Sequence, residues 1–183
     1  MTADVTAALT DATTGAQATD EVAFMLMARH KESSTAQFDS RQNASGGPRL
    51  LLTFSDGSHR TVAADADTCI KAGAEKSSVF GTATTLQVRD EGLGAYTDQT
   101  RKAYVGFPLD PQWPTVTRAT LELTGLNATG TGAKEVVLYQ NREMFDESTR
   151  TWANTVQNTF SWSGDPGGYT WAKPDIADAE YAE

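Results

Sequence analysis

Two consecutive carboxylates lie in the stretch MFDESTRTW, residues 144 to 152. A pair of carboxylates can act as general acid and base on a glycosidic bond if the two groups flank that bond. Asp146 and Glu147 are adjacent in sequence, however, and adjacent side chains of an extended segment point in opposite directions. The chain also lacks a GxSxG elbow and a glycine-rich nucleotide loop. We therefore predict that the protein is not an enzyme and that this stretch is architectural.

Carboxylates elsewhere in the chain are candidates for a metal site. Asp65 and Asp67, in the segment ADADT, could donate oxygen ligands to Ca²⁺. The segment lacks the fuller set of carboxylates of a recognised calcium loop. Cys69 is the single cysteine, so it cannot form a zinc site of the usual kind with the two histidines. We expect no required cofactor, and a structural Ca²⁺ at Asp65 and Asp67 is the one metal hypothesis.

The composition is that of a folded domain that does not bind nucleic acid. The chain has 183 residues, of which 39% are hydrophobic and 21% are charged, as is typical of one globular domain. Its net charge is −9, whereas proteins that bind nucleic acids are basic, at least in patches. The longest apolar run, residues 22 to 28, is too short to cross a bilayer, so we predict no membrane insertion.

The elements that must position any functional residues are short strands separated by turn-forming residues. The continuous apolar run at 22–30 predicts a strand that is buried on both faces. The sequence predicts further strands at 36–42, 49–54, 67–72, 84–90, 102–109, 116–126 and 134–141. One short helix is predicted over residues 3–9, with Asp4 as its N-cap. Because alternating strands need two faces to bury their apolar residues, we predict an all-β fold, an antiparallel β-sandwich of the jelly-roll type.

Several of these segments resemble a known family. The succession ADADTCIKAG, VFGTATTLQVRD, QTRKAYVGFPLD and FDESTRTWAN resembles the DNRLRE-type carbohydrate-binding modules, which are grouped as family 96. The matching motif positions are Asp67, Gly81, Arg101, Phe107 and Trp152. The chain departs from the family at Phe145, where the family usually has Trp, and at Pro108, where FDL has become FPL.

The order of the motifs is reversed between the two parts of the chain. Residues 1–55 resemble the end of such a module, with DVT, FDSRQ and PRLLLTF, whereas residues 62–172 resemble its beginning and middle. The chain is therefore either a piece of a tandem array or a circular permutant that forms one sandwich. Strand counting favours a single module over residues 1–172, because separate fragments would each leave unpaired edges. We expect the acidic tail, residues 173–183, to be poorly ordered.

The resemblance implies a glycan ligand and suggests basic residues that could bind it. A planar guanidinium is suited to the carboxylates of alginate or another uronate. The basic candidates are Arg41, Arg89 and Arg101, at motif positions, and Lys71 and Lys102, close to them in sequence. Arg41 and Arg101 have an alternative, structural interpretation, in which they pair with Asp39 or Asp67 at the ends of the sheets.

Aromatic residues near the C-terminus are the other candidates for binding. The segment FSWSGDPGGYTW contains Trp162, Tyr169 and Trp171. Sugar rings present apolar C–H faces that stack on aromatic planes, so this segment could form a binding platform. The alternative is that these rings pack against the sheet.

The resemblance implies a non-catalytic carbohydrate-binding module within a larger secreted, polysaccharide-active protein, with an anionic polysaccharide as its partner. The expected location is extracellular or at the cell surface. This location follows from the resemblance alone, since the segment MTADVTAALT lacks the basic and apolar regions of a secretory signal. The alternative function is that of a structural spacer or adhesion module with no glycan ligand.

Overall fold

The computed structural model describes residues 1–14, 20–28, 35–44, 46–89, 100–127, 134–141, 145–155 and 179–181. The chain forms twelve strands and one α-helix within these residues. The strands are β1 (Thr2–Asp4), β2 (Glu21–Ala28), β3 (Ala36–Asp39), β4 (Arg49–Phe54), β5 (His59–Ala63), β6 (Ala66–Lys71), β7 (Thr85–Val88), β8 (Arg101–Pro108), β9 (Val116–Glu122), β10 (Gly125–Asn127), β11 (Lys134–Asn141) and β12 (Ala179–Tyr181). Helix α1 spans Thr6–Thr14. No helix in the described part of the chain is long and apolar enough to cross a membrane.

The strands form three antiparallel sheets. The five-stranded sheet has the order β12-β11-β2-β8-β6, the four-stranded sheet the order β1-β9-β4-β5, and the three-stranded sheet the order β10-β3-β7. Every strand pair is antiparallel. One face of each sheet contributes to a shared hydrophobic core. The predicted all-β, antiparallel sandwich with one short N-terminal helix is confirmed.

Strand β2 shows how the core is layered. Val22, Phe24 and Leu26 point into the main core, where the Phe24 ring meets the Phe107 ring edge-on at a centroid distance of 6.3 Å. The intervening Met25 lies on the outer face of the five-stranded sheet, in a second, smaller apolar cluster. Burial of each large side chain stabilises the fold by about 1.5–3 kcal/mol. The predicted burial of this strand on both faces is confirmed.

Three early strands, β2, β3 and β4, each lie between two later strands. β2 pairs with β8 on one side and with β11 on the other. β3 lies between β7 and β10, and β4 lies between β5 and β9. Each of these early strands therefore satisfies its backbone hydrogen bonds on both edges with later segments, and it joins partners that would otherwise be separated.

Several predicted boundaries were wrong. Residues 2–4 form β1 against β9, and α1 begins only at Thr6, because the first residues bond to a strand edge instead of to the helix. Asp4 Oδ1 still accepts the Thr6 N–H, at 2.9 Å. The single strand predicted at 116–126 is split between two sheets as β9 and β10. Strand β5 was not predicted, and β12 lies within the tail segment 173–183, whose other residues are not among those described.

Candidate functional site

Three of the five basic candidates lie side by side at the ends of three strands. Lys71 ends β6 and is directly opposite Arg101, the first residue of β8. Arg89 follows β7 and is also opposite Arg101, through a bridge with N–H···O distances of 2.8 and 3.1 Å. Directly opposite residues of an antiparallel pair project from the same side, so the three side chains are neighbours. We call Lys71, Arg89 and Arg101 the basic row.

Neighbouring groups hold the side chains of the basic row in place. Lys71 Nζ lies 3.5 Å from Glu75 Oε1 and 4.0 Å from the ring centroid of Phe80. Arg101 Nη1 donates to Gln87 Oε1 at 2.7 Å. Phe80 and Gln87 are uncharged, whereas the carboxylate of Glu75 partly offsets the charge of Lys71. Neighbouring groups therefore orient Lys71 and Arg101, and the row as a whole stays positively charged.

Cys69 is a buried residue near this row. Burial raises the pKa of its thiol, and the charges of Lys71 and Arg101 partly oppose that rise. A thiol held in its protonated form is a poor nucleophile. Cys69 therefore packs as a small, buried residue of β6.

The other two basic candidates lie apart from the row. Lys102 points to the opposite face of β8, where its side chain is only 3% exposed and its Nζ lies 5.2 Å from the centroid of the Trp152 ring. Arg41 follows β3, and its guanidinium is bound by Glu147. A polymer lying on the basic row would therefore contact neither of them.

Arg41, Asp67 and Glu147 form a cluster that ties three distant segments together; we call it the Arg41 cluster. Arg41 Nε donates to Glu147 Oε2 at 2.9 Å, and its Nη2 donates to the second carboxylate oxygen. The backbone N–H of Arg41 donates to Asp67 Oδ2 at 2.5 Å, and that of Asp67 donates to Glu147 Oε2 at 2.9 Å. These contacts support a structural role for Arg41, with Glu147 as the partner of its side chain.

The carboxylates of this cluster differ in protonation behaviour. Burial, reinforced by the charge of Glu147, raises the pKa of Asp67 to about 6, although hydrogen bonding from Arg41 opposes the rise. Burial also disfavours the ionised form of Glu147, but the hydrogen bonds from Arg41 and from the Asp67 backbone outweigh it and lower the pKa of Glu147. Glu147 and Arg41 are therefore a firm ion pair, whereas a charge on Asp67 is poorly solvated.

Gly81 lies where the segment carrying Glu147 crosses the turn before β7. A Cβ atom at Gly81 would be 2.8 Å from the carbonyl carbon of Glu147 and would collide with its carbonyl oxygen. Gln42 Nε2 donates to the Gly81 carbonyl at 2.7 Å, and Ser40 Oγ donates to the Ala83 carbonyl at 2.6 Å. The turn is fixed from both sides, so only glycine permits the close approach of the two backbones.

Comparison with known families agrees with this arrangement. The family model described as carbohydrate-binding module family 96 matches residues 58–164, more than half of the chain. The chain belongs to carbohydrate-binding module family 96. The search of curated proteins and the search of solved structures gave no match. Family membership makes this a carbohydrate-binding module, a non-catalytic class of domain.

In this family 96 module, the motif residues divide between architecture and the basic row. Asp67 and Gly81 hold the segment around Glu147, Phe107 lies in the main core, and Trp152 covers the outer face of the five-stranded sheet. Two further motif positions, Arg89 and Arg101, belong to the row.

The stretch MFDESTRTW is architectural in the part that is described. Phe145 packs against Tyr104 with a centroid distance of 5.6 Å, in the outer apolar cluster. Asp146 Oδ1 accepts the N–H of Ser148 at 2.8 Å and so closes a turn. Glu147 was not identified from the sequence as the partner of Arg41. The family pattern W-x-E, which reads FDE here, was the signal that could have identified it.

The calcium hypothesis finds little support in the geometry of the module. The Asp67 carboxylate is directed at the backbone of Arg41, and Asp65 is exposed. The described residues contain no group of three or more His, Cys, Asp or Glu side chains that could hold a metal ion. Ca²⁺ binding at Asp65 and Asp67 stays an untested prediction.

Trp162, Tyr169 and Trp171 lie outside the described residues, so the aromatic platform also stays a prediction.

Proposed function

We propose that this module binds an anionic polysaccharide, such as alginate or another uronate, through the basic row. The placement of three cations directly across adjacent strands is the observation that supports the proposal most. Neighbouring strands are about 4.8 Å apart, so the row spans about 10 Å. A polyuronate carries one carboxylate on each sugar, so a chain lying across these strand ends would place several carboxylates near the row.

Electrostatics favour an anionic ligand at this place. Like charges that are directly opposite each other on paired strands destabilise the pair. A bound carboxylate relieves that repulsion and accepts bidentate hydrogen bonds from a guanidinium. Because the chain as a whole carries a charge of −9, attraction is local, and dissolved salt weakens it by screening.

The proposal includes the organisation of the protein. Residues 1–172 form one reordered module, which is supported by the position of β2 between β8 and β11 and of β4 between β5 and β9. The module is one part of a larger secreted protein and keeps that protein close to its polysaccharide.

Affinity electrophoresis tests the proposal. In gels that contain alginate, pectin or hyaluronate, we expect at least one polymer to retard the native protein, whereas a neutral glucan has no effect. The Arg89→Ala/Arg101→Ala double variant should lose the retardation. A Lys76→Ala/Arg150→Ala double variant has the same net charge and an intact basic row, and it should keep it. Unaltered mobility of the native protein in every gel would contradict the proposal and favour a spacer or adhesion module.

A further inference from the structure

The outer face of the four-stranded sheet carries a groove that is separate from the basic row. Its volume is about 490 Å³, and its lining comes from β1, β4, β5 and β9. None of these strands carries a residue of the basic row. Thr2, Thr53, Thr61 and Thr120 line the groove around Leu51, which is 38% exposed.

The strand register arranges the lining in two parallel rows. In one row, Leu51 is opposite Thr61 on one side and Thr120 on the other. In the other row, Thr53 lies between His59 and Arg118, and its Oγ1 is 3.1 Å from His59 Nδ1. The groove therefore presents threonines on neighbouring strands, and Thr53 is flanked by a basic residue on each side.

Arg118 gives the groove a local positive charge beside Thr53, with His59 on the other side of that threonine. The described lining includes no Asp or Glu, although Asp4 is opposite Thr120 next to it. Arg60 is opposite Leu52, which lies in the main core, so its side chain is on the other face of the sheet, over the Trp113 ring at 4.8 Å. Arg118 is exposed, and its charge helps to lower the pKa of Asp4, after the hydrogen bonds from Thr6. An acidic group of a ligand is thus complementary to the groove at Arg118.

We propose that this groove is a second glycan-binding site, which takes another segment of the same anionic polysaccharide. The ligand class rests on the proposed function of the module. Threonine hydroxyls both donate and accept hydrogen bonds, as sugar hydroxyls do, and Arg118 and His59 would face a carboxylate. The described lining contains no Phe, Tyr or Trp, so recognition here is polar and does not depend on stacking against a large aromatic ring.

Two sites on different sheets make the module bivalent. A long polymer can then bridge two modules, or one module can join two polymer segments, and the overall affinity for long chains exceeds that of either site alone. Short oligosaccharides do not show this gain, because they fill each site independently.

Isothermal titration with a short alginate oligosaccharide tests the bivalence. We expect the native protein to bind two oligosaccharides per chain, and the Arg118→Glu/His59→Ala variant to bind one. Retained binding at the basic row would show that this variant is folded. The Arg89→Ala/Arg101→Ala variant should also bind one oligosaccharide, in the groove.

The outcomes separate this inference from the proposed function. If the groove variant binds as many oligosaccharides as the native protein, the second site is absent, whereas binding at the basic row stands. If the native protein binds no oligosaccharide of alginate, pectin or hyaluronate in such titrations, both proposals fail. If the basic-row variant binds as the native protein does and the groove variant does not bind, the groove is the sole glycan site. This result would contradict the role of the basic row.

Discussion

Replacing Asp67 with asparagine should remove a charge that the fold solvates poorly. The pKa of Asp67 is about 6 in the folded chain, mainly because of burial, against an ordinary value of 3.8. The folded state therefore binds a proton more readily than the unfolded state does. The stability that Asp67 contributes is fully present below pH 3.8 and is lost as the pH rises through 6. A shift of about two pKa units corresponds to about 3 kcal/mol.

The Asp67→Asn variant keeps a side-chain oxygen that can accept the Arg41 N–H but cannot ionise. We therefore expect the variant to gain about 3 kcal/mol of stability relative to the native protein as the pH rises from about 4 to about 7.5. Urea unfolding at a series of pH values measures this difference, and Asp65→Asn, an exposed neighbour, is the matched control. A difference that stays constant over this range would refute the reasoning about burial.

Two further predictions concern the Arg41 cluster and its surroundings. Gly81→Ala should destabilise the fold by about 1–3 kcal/mol in thermal unfolding, because the new Cβ overlaps the backbone of Glu147. Gly106→Ala is the control and should be tolerated, since its Cβ would have its nearest neighbour at 3.5 Å. Equal losses of stability in the two variants would count against the Gly81–Glu147 contact. Arg41→Ala should lower stability by about 1.5 kcal/mol, the low end for a hydrogen bond to a charged group, because the side chain is 36% exposed. A double-mutant cycle with Glu147→Ala measures the coupling between the two side chains, and strictly additive losses would contradict the ion pair.

Local patterns were sufficient to predict the fold class. The uninterrupted apolar run at 22–28 indicated a strand with two buried faces, and the alternation of Leu86 and Val88 indicated one buried face in β7. Hydrophobic periodicity reports burial directly, which is why these elements could be predicted. It does not report partners, so the division of the predicted strand 116–126 between two sheets had no local signal.

The candidate site was only partly predictable for the same reason. Arg101 and Arg89 were identified by their motif positions, but their alignment with Lys71 depends on the register of β6 and β8. The Arg41–Glu147 pair joins residues that are 106 positions apart, so hydrophobic periodicity could not identify it, and the family pattern around Glu147 was the sequence signal for it. The groove on the four-stranded sheet was missed because its threonines are ordinary outward residues until the four strands align them.

The most direct test of the central claim is calorimetric titration of a uronate oligosaccharide into an Arg118→Glu/His59→Ala background, in which the groove is disabled. Adding Arg89→Ala and Arg101→Ala removes two charge-assisted partners, each contributing about 1.5 kcal/mol or more, so the dissociation constant should rise by at least about 100-fold. Binding before that change should also weaken as salt is raised from low to physiological concentration. An unchanged dissociation constant, or one that is insensitive to salt, would contradict recognition by the basic row.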